Sequence, residues 1–310
     1  MPKQDFKPSF ATVDVFRRNA PDNVLAMITA VNGPSYRPVG AAMRLFSDGS
    51  TIGTLSSGCI ESDLAGHALD ALETKRAKIV RYGTGSPYMD IRLPCGGGMD
   101  IILIPRPDEK VLGELVQMLD SRQAARLHVD LVSGKLQCSG ANEQYKSKNL
   151  FFINYRPEIK FIVFGNGPEA ATFSSLAEIM GYPNVLCSSE VETLDAGGAT
   201  SNSKILLTKS HVPKAIQIDQ WSAVLLFFHD HDWEPEILMN VLNSKAFYIG
   251  AQGSHRAKKM RELELEAAGA NYLQIDRVRG PIGLIPSARD PRTLAVSVLA
   301  EVLMEGKNLE

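Results

Sequence analysis

Cysteine is scarce: the 310 residues contain four, at positions 59, 95, 138 and 187. No two sit at the close spacing of a zinc knuckle or redox pair, and four scattered thiols make no disulfide framework. An excess of one charge is also missing. Lys and Arg number 33 against 35 Asp and Glu, a net of −2, so nothing favours nucleic acid or an anionic membrane surface. No apolar run approaches the roughly 20 residues that span a bilayer, and the opening MPKQDFKPSF holds no apolar signal core. Together these absences point to a soluble, cytoplasmic protein without a nucleic-acid or membrane partner. What is present is ordinary globular material, 44% hydrophobic and 22% charged, long enough for about two domains.

The pattern divides near residue 156, giving domains 1–156 and 157–310. The first mixes strands and helices in an α+β manner. Residues 24–31 (VLAMITAV) form an apolar run, and short strand-like pieces follow at 42–46 and 51–55 around an SDGS hairpin signal. Ile60, Leu64, His67, Ala68, Ala71 and Leu72 then recur on one helical face. Residues 78–81 and 100–104 read as strands, 109–119 as an amphipathic helix, and 127–155 as a final pair of strands. The second part alternates more regularly: strands at 160–164, 185–187, 204–208, 223–228 and 246–249, with helices at 169–180, 235–242, 255–268 and 292–303. That alternation predicts right-handed βαβ crossovers and a Rossmann-type parallel α/β domain covered on both faces.

Four segments carry candidate chemistry. GNGPEA (Gly165, Asn166, Gly167 to Ala170) follows the strand FIVF and precedes a helix, the setting of a dinucleotide fingerprint. Gly165 suits a tight turn, and Gly167 lets backbone approach a phosphate at the helix N-terminus. The acidic residue expected about twenty positions later is missing, because Ser188 or Ser189 stands there and Glu190 comes late. The bland reading is a tight turn with no ligand.

The second segment is HDHD. His229, Asp230, His231 and Asp232 fall at the carboxyl end of an apolar strand, the edge where open parallel sheets bind ligands. They suit a metal or the hydrogen-bonding edge of a polar ring, whereas Asp232 reads as the N-cap of the helix that follows. Third, Gly250, Gly253, Ser254 and Arg256 in GAQGSHR make either an anion-binding loop or a capped basic helix. Arg289 in SARDP either joins that edge or is simply solvated. Fourth, Cys59 in SSGC and Cys95 in PCGGG lie in glycine loops. Cys59 near a helix N-terminus suits thiolate chemistry, whereas Cys138 and Cys187 read as buried apolar residues.

Taken in order, SSGCIESDLAGHALDAL, PCGGGMDIILIP, FFHDHDWEPEIL, YIGAQGSHRAKKMRELELEAAG, GPIGL and AVSVLAEVL resemble the XdhC/CoxI family across residues 24–301. The resemblance implies an N-terminal XdhC/CoxI domain followed by a Rossmann domain. It implies a non-enzymatic accessory protein that binds the molybdenum cofactor (molybdopterin), shields it and assists its sulfuration by a cysteine desulfurase. Delivery to an apo-molybdoenzyme such as xanthine dehydrogenase follows. On that reading, the helix N-termini after Gly165 and Gly253 suit the cofactor phosphate. His229 and Asp230 suit the pterin edge, and Cys59 or Cys95 approaches the metal or carries sulfur. The sequence departs from the family pattern at Arg37-Pro38-Val39-Gly40-Ala41, Ser56-Ser57-Gly58-Cys59, Ser287-Ala288-Arg289 and Cys187-Ser188-Ser189.

Two other readings compete: an NAD(P)-dependent oxidoreductase built on GNGPEA, and a metal-dependent hydrolase built on HDHD. The first has no Tyr-x-x-x-Lys or similar catalytic pair to draw on. A homodimer is the expected assembly from base rates alone.

Overall fold

The computed structural model describes residues 12–18, 20–56, 58–86, 96–141, 149–198, 203–307 and 309. Two compact units, Met1–Pro157 and Glu158–Glu310, divide the chain. Among the described residues no helix is long and apolar enough to cross a membrane.

In the first unit, α1 (Thr12–Arg17) precedes β1 (Asn23–Asn32), β2 (Ala42–Phe46) and β3 (Thr51–Ile52). Next come α2 (Glu61–Thr74), β4 (Lys78–Gly83), β5 (Gly98–Pro105) and α3 (Glu109–Asp120). A second sheet follows, made of β6 (Ala125–Asp130), β7 (Leu136–Gly140) and β8 (Leu150–Tyr155). The main sheet runs β3-β2-β1-β5-β4 and is antiparallel throughout. The side-chain alternation of β1 explains its place in the middle. Val24, Ala26 and Ile28 pack with Leu64, Ala68, Ala71 and Leu72 of α2. Leu25 and Met27 pack on the other face with Leu112 and Leu115 of α3 and with Leu127 and Val129 of β6.

The region expected to hold a final strand pair instead makes three strands, in order β7-β6-β8. The missed turn is held by one carboxylate: Asp130 Oδ1 accepts from the backbone N–H of Val132 and Ser133 and from Ser133 Oγ. The third predicted strand, 51–55, shortens to two residues, because Gly53 turns the chain at φ +81°. At the far end of α2, Lys75 closes the helix in the left-handed region (φ 57°, ψ 30°). Lys75→Gly is expected to stabilise this unit by about 0.5–1 kcal/mol, the relieved left-handed strain less glycine's extra chain entropy. A denaturant midpoint that falls in the variant would refute it.

The second unit contains β9 (Lys160–Gly165), α4 (Gly167–Ile179), β10 (Asn184–Ser188), α5 (Val191–Ala196), β11 (Lys204–Leu206) and β12 (Ser222–Phe227). Further along come α6 (Glu234–Leu242), β13 (Tyr248–Ala251), α7 (His255–Ala267), α8 (Tyr272–Asp276), β14 (Val278–Arg279) and α9 (Pro291–Gly306). Its sheet is wholly parallel, in order β11-β10-β9-β12-β13-β14. Numbered within this unit the order is 3-2-1-4-5-6, the doubly wound arrangement expected from the alternation. Phe161, Val163, Leu225 and Phe227 pack under α4 and α9. Ile162, Phe164, Val224 and Leu226 pack under α6 and α7. Because both faces are covered, the central strands are apolar at successive positions rather than at alternate ones.

Candidate functional site: the switch point and the Cys59 loop

The strand order reverses between β9 and β12, so their carboxyl ends part and leave a crevice. Gly165 pairs with Phe227 across this point, and the Asn166 N–H donates to the Phe227 carbonyl at 3.2 Å. A Cβ on Gly165 would lie 2.5 Å from that carbonyl oxygen, so glycine is required by strand packing alone. Gly167 opens α4 at φ +80°. Its N–H donates to Thr193 Oγ1 at 2.8 Å, and that hydroxyl donates to Glu190 Oε2 at 2.8 Å. Asn166 Oδ1 accepts from Ser188 Oγ (2.7 Å) and from Ser189 N (3.2 Å), while its Nδ2 donates to Ser189 Oγ (2.9 Å). Of the two serines standing where an acidic residue was expected, Ser188 is fully buried, and both are bonded to Asn166 of the glycine loop.

Across the crevice, His229 is exposed and its Nε2 lies 3.3 Å from Glu169 Oε2 in the first turn of α4. His231 Nδ1 lies 3.0 Å from Glu234 Oε1. Glu234 is itself buried and accepts from Arg261 Nε at 2.6 Å, and Arg261 Nη2 donates to the Gln252 carbonyl at 2.8 Å. The Gly253 turn closes beside this group: a Cβ there would be 3.6 Å from both His231 Cε1 and Arg261 Nη2. The loops after β12 and β13 therefore meet through one buried ion pair. Gln252 Oε1 in the same loop is a buried oxygen with no hydrogen-bond partner among the described residues.

In the first unit, Cys59 is exposed at the tip of the loop entering α2. Glu61 builds that loop. One carboxylate oxygen accepts from Thr54 Oγ1 (2.6 Å), Leu55 N (3.1 Å) and Ser56 N (2.9 Å). The other accepts from Ser56 Oγ, Gly58 N (2.9 Å) and Ile60 N (3.2 Å). Burial pushes the Glu61 carboxyl up, but the hydrogen bonds from Ser56, Thr54 and the loop amides outweigh it and hold it at about 2. These amides aim at Glu61 rather than at the Cys59 sulfur. Tyr82 Oη donates to Asp63 Oδ2, tying the first turn of α2 to the end of β4 where Gly83 pairs with Gly98. On that edge a Cβ at Gly97 would sit 2.1 Å from the Pro34 carbonyl oxygen and one at Gly98 2.8 Å from that of Thr84, so packing requires both glycines.

Residues 161–302 match the model of the XdhC Rossmann domain, and residues 17–83 match that of the XdhC and CoxI family. A relative from Escherichia coli (strain K12) described as molybdenum cofactor insertion chaperone PaoD is 33% identical, over 90% of this chain and 82% of its own length. The chain belongs to the XdhC and CoxI family. A Bacillus subtilis (strain 168) relative described as a probable xanthine dehydrogenase subunit is 22% identical, over 96% of this chain and 97% of its own. The fold is shared with a crystal structure described as a xanthine dehydrogenase from Bacillus halodurans. It superposes with a TM-score of 0.79 at 20% identity, covering 98% of this chain and 97% of that one.

In this XdhC/CoxI chain the structure brings some of the expected residues together and separates others. Gly165, Asn166, Gly167 and His229 border one crevice, and His231 and Gly253 are neighbours beside it. Gly250 is not in a loop: it is buried within β13, where a Cβ would meet Tyr248 and Ile282. Ser254 caps α7, accepting from Ala257 N at 3.2 Å. Arg256 and Arg289 are exposed, and neither guanidinium makes a hydrogen bond or ion pair among the described residues.

Asp232 does not cap α6. Asp230 instead caps a 3-10 turn over His231–Trp233 by accepting from Asp232 N at 3.1 Å, and Pro235 sets the start of the helix. The seat expected for phosphate after Gly165 also differs, since the Gly167 N–H is already bonded within the chain. Among the described residues no group of three or more His, Cys, Asp or Glu is placed to hold a metal ion, HDHD included. Cys187 is buried in the Rossmann core, and burial pushes its thiol up to about 12 against a small opposing effect of Lys160. Cys138 is half-buried against Met118. Cys95 lies outside the described residues. Sequence reasoning missed Glu61, Glu169, Glu234 and Arg261 as organising residues. Only Glu169 carried a local signal, through its place inside the fingerprint.

Proposed function

We propose that this chain is a chaperone of the molybdenum cofactor. It binds and shields the cofactor, supports its sulfuration by a cysteine desulfurase, and helps insert it into a xanthine dehydrogenase-type apoenzyme. The observation that carries this reading is the likeness through both domains to a relative described as a molybdenum cofactor insertion chaperone. The donor set also fits the cofactor. His229 and Asp230 are exposed hydrogen-bonding groups at the switch point, suited to the polar edge of a pterin. The Gly253 turn, the first turn of α7 and Arg256 would receive its phosphate. Cys59, an exposed thiol of the first unit, would carry sulfur, with Cys95 assigned to the same task.

When bound, the cofactor would supply a dithiolene-held metal with exchangeable oxo or sulfido ligands; the protein's part is to hold, orient and keep out water. The setting is cytoplasmic and the assembly a homodimer, which a single monomeric species in sedimentation at micromolar concentration would contradict.

The test is anaerobic mixing with molybdenum cofactor, gel filtration, and assay of molybdenum by mass spectrometry and pterin by fluorescence. Stoichiometric retention is expected, weakened in Cys59→Ala and His229→Ala and not displaced by NAD or NADP. Absence of retained pterin alongside tight nicotinamide binding would favour the oxidoreductase instead.

A further inference from the structure

We propose that Glu169 and Thr193 bar phosphate from the glycine loop, so that this Rossmann domain rejects the pyrophosphate of any dinucleotide at its switch point. In dinucleotide-binding folds the second glycine leaves bare backbone for the pyrophosphate, and the free N–H groups of the helix N-terminus receive it. Here the space over the second glycine and that glycine's own N–H are both taken by the chain itself.

The space over Gly167 holds a carboxylate oxygen. Among the described residues, the neighbour that a Cβ there would meet beyond the adjoining backbone is Glu169 Oε2, at 3.7 Å. Phosphate approaching that glycine would meet a carboxylate that is only 13% exposed, and so weakly screened by water, with the exposed His229 Nε2 3.3 Å from the same oxygen. The Gly167 N–H, the donor a phosphate oxygen would use, is given to Thr193 Oγ1, and the Thr193 hydroxyl is in turn committed to Glu190. Ser188 and Ser189 stand near the place of the ribose-holding acid, and both are bonded to Asn166. An acidic residue in the first turn commonly serves only to complement the helix dipole. The Thr193 hydroxyl is the second barrier: in satisfying the orphan glycine amide it also occupies the donor that a phosphate oxygen would need.

The inference goes beyond the chaperone reading and can fail separately from it, because its probe is inorganic pyrophosphate rather than the pterin cofactor. Binding of pyrophosphate and of NADH to the full chain would be measured by calorimetry and fluorescence. The proteins compared are the wild type, Glu169→Gln, Thr193→Val and the double variant. Glu169→Gln keeps the side chain's shape, so a folded protein is assured even if Thr193→Val loosens α5, and circular dichroism checks both. Wild type is expected to bind neither probe at millimolar concentration. Glu169→Gln is expected to gain at least ten-fold in pyrophosphate affinity, and the double variant more, with the gain falling as salt rises. Micromolar NADH or pyrophosphate binding by the wild type, or affinities within two-fold across the folded variants, would overturn the proposal. Cofactor retention by the same wild-type preparation then decides the chaperone reading independently.

Discussion

Glu234→Ala is expected to lower the unfolding free energy of the Rossmann domain by about 3–5 kcal/mol, the usual cost of breaking a buried ion pair from one side. Glu234 and Arg261 are 1% and 4% exposed, with Nε and Oε2 2.6 Å apart. Removing the carboxylate leaves a guanidinium out of water with, among the described residues, only the Gln252 carbonyl as a hydrogen-bond acceptor. It also takes away the partner of His231 Nδ1, so the loop after β12 loses its tie to the loop after β13. Removing both charges is a different matter. Glu234→Leu with Arg261→Met should recover much of the loss, because the desolvation cost disappears along with the attraction. The urea midpoint of the domain measures the first effect. The His231 ring resonances report the second, since the double variant regains stability without restoring the imidazole's partner. A single-variant loss below about 1 kcal/mol would show that water reaches the pair and that the burial argument fails.

Glu61→Gln should cost the first domain about 2–3 kcal/mol at neutral pH and remove a pH dependence that the wild type has. The carboxylate accepts from two hydroxyls and four backbone amides, and a carboxamide can present only one oxygen to them. The folded carboxyl sits at about 2, below its ordinary value of 4.5. A depressed carboxylate contributes fully above the unfolded value, and that contribution is lost as pH falls from about 4.5 towards about 2. Wild type should therefore lose stability across that window faster than Glu61→Gln, and their denaturation midpoints should converge at the acid end. Parallel curves would mean that Glu61 does not hold the loop. The same substitution frees the chain around Cys59, so alkylation of that thiol at neutral pH should speed up.

The sequence disclosed the Rossmann half because its signals are local. Apolar strands, glycine turns and amphipathic helices each satisfy their own geometry, and a parallel sheet leaves them little choice of partners. Gly165 was legible for a related reason: no other residue fits against the Phe227 carbonyl. Its meaning was not legible. A fingerprint reports that backbone can come close, and only the folded chain shows that Thr193 and Glu169 come close first. Glu234 and Arg261 lie 27 positions apart and meet through helix packing, so nothing in either neighbourhood announces the pair. Asp232 is not the cap of α6 because a 3-10 turn precedes that helix, and Asp230 caps the turn. The third strand of the small sheet went unread because its turn is fixed by the Asp130 side chain rather than by an Asn-Gly or Asp-Gly signal.

The placement of β1 has a consequence for how the first domain breathes. β1 is hydrogen-bonded on both edges, by β2 and β5, and residues Val24 to Ile28 have no exposed surface. Deuterium would enter its amides only when the whole unit opens, whereas β3, two residues at the margin of the sheet, exchanges through local fraying. The Cys59 loop leaves from that margin and is held by one carboxylate rather than by the sheet. It can therefore open and reclose many times within the lifetime of a single folded core.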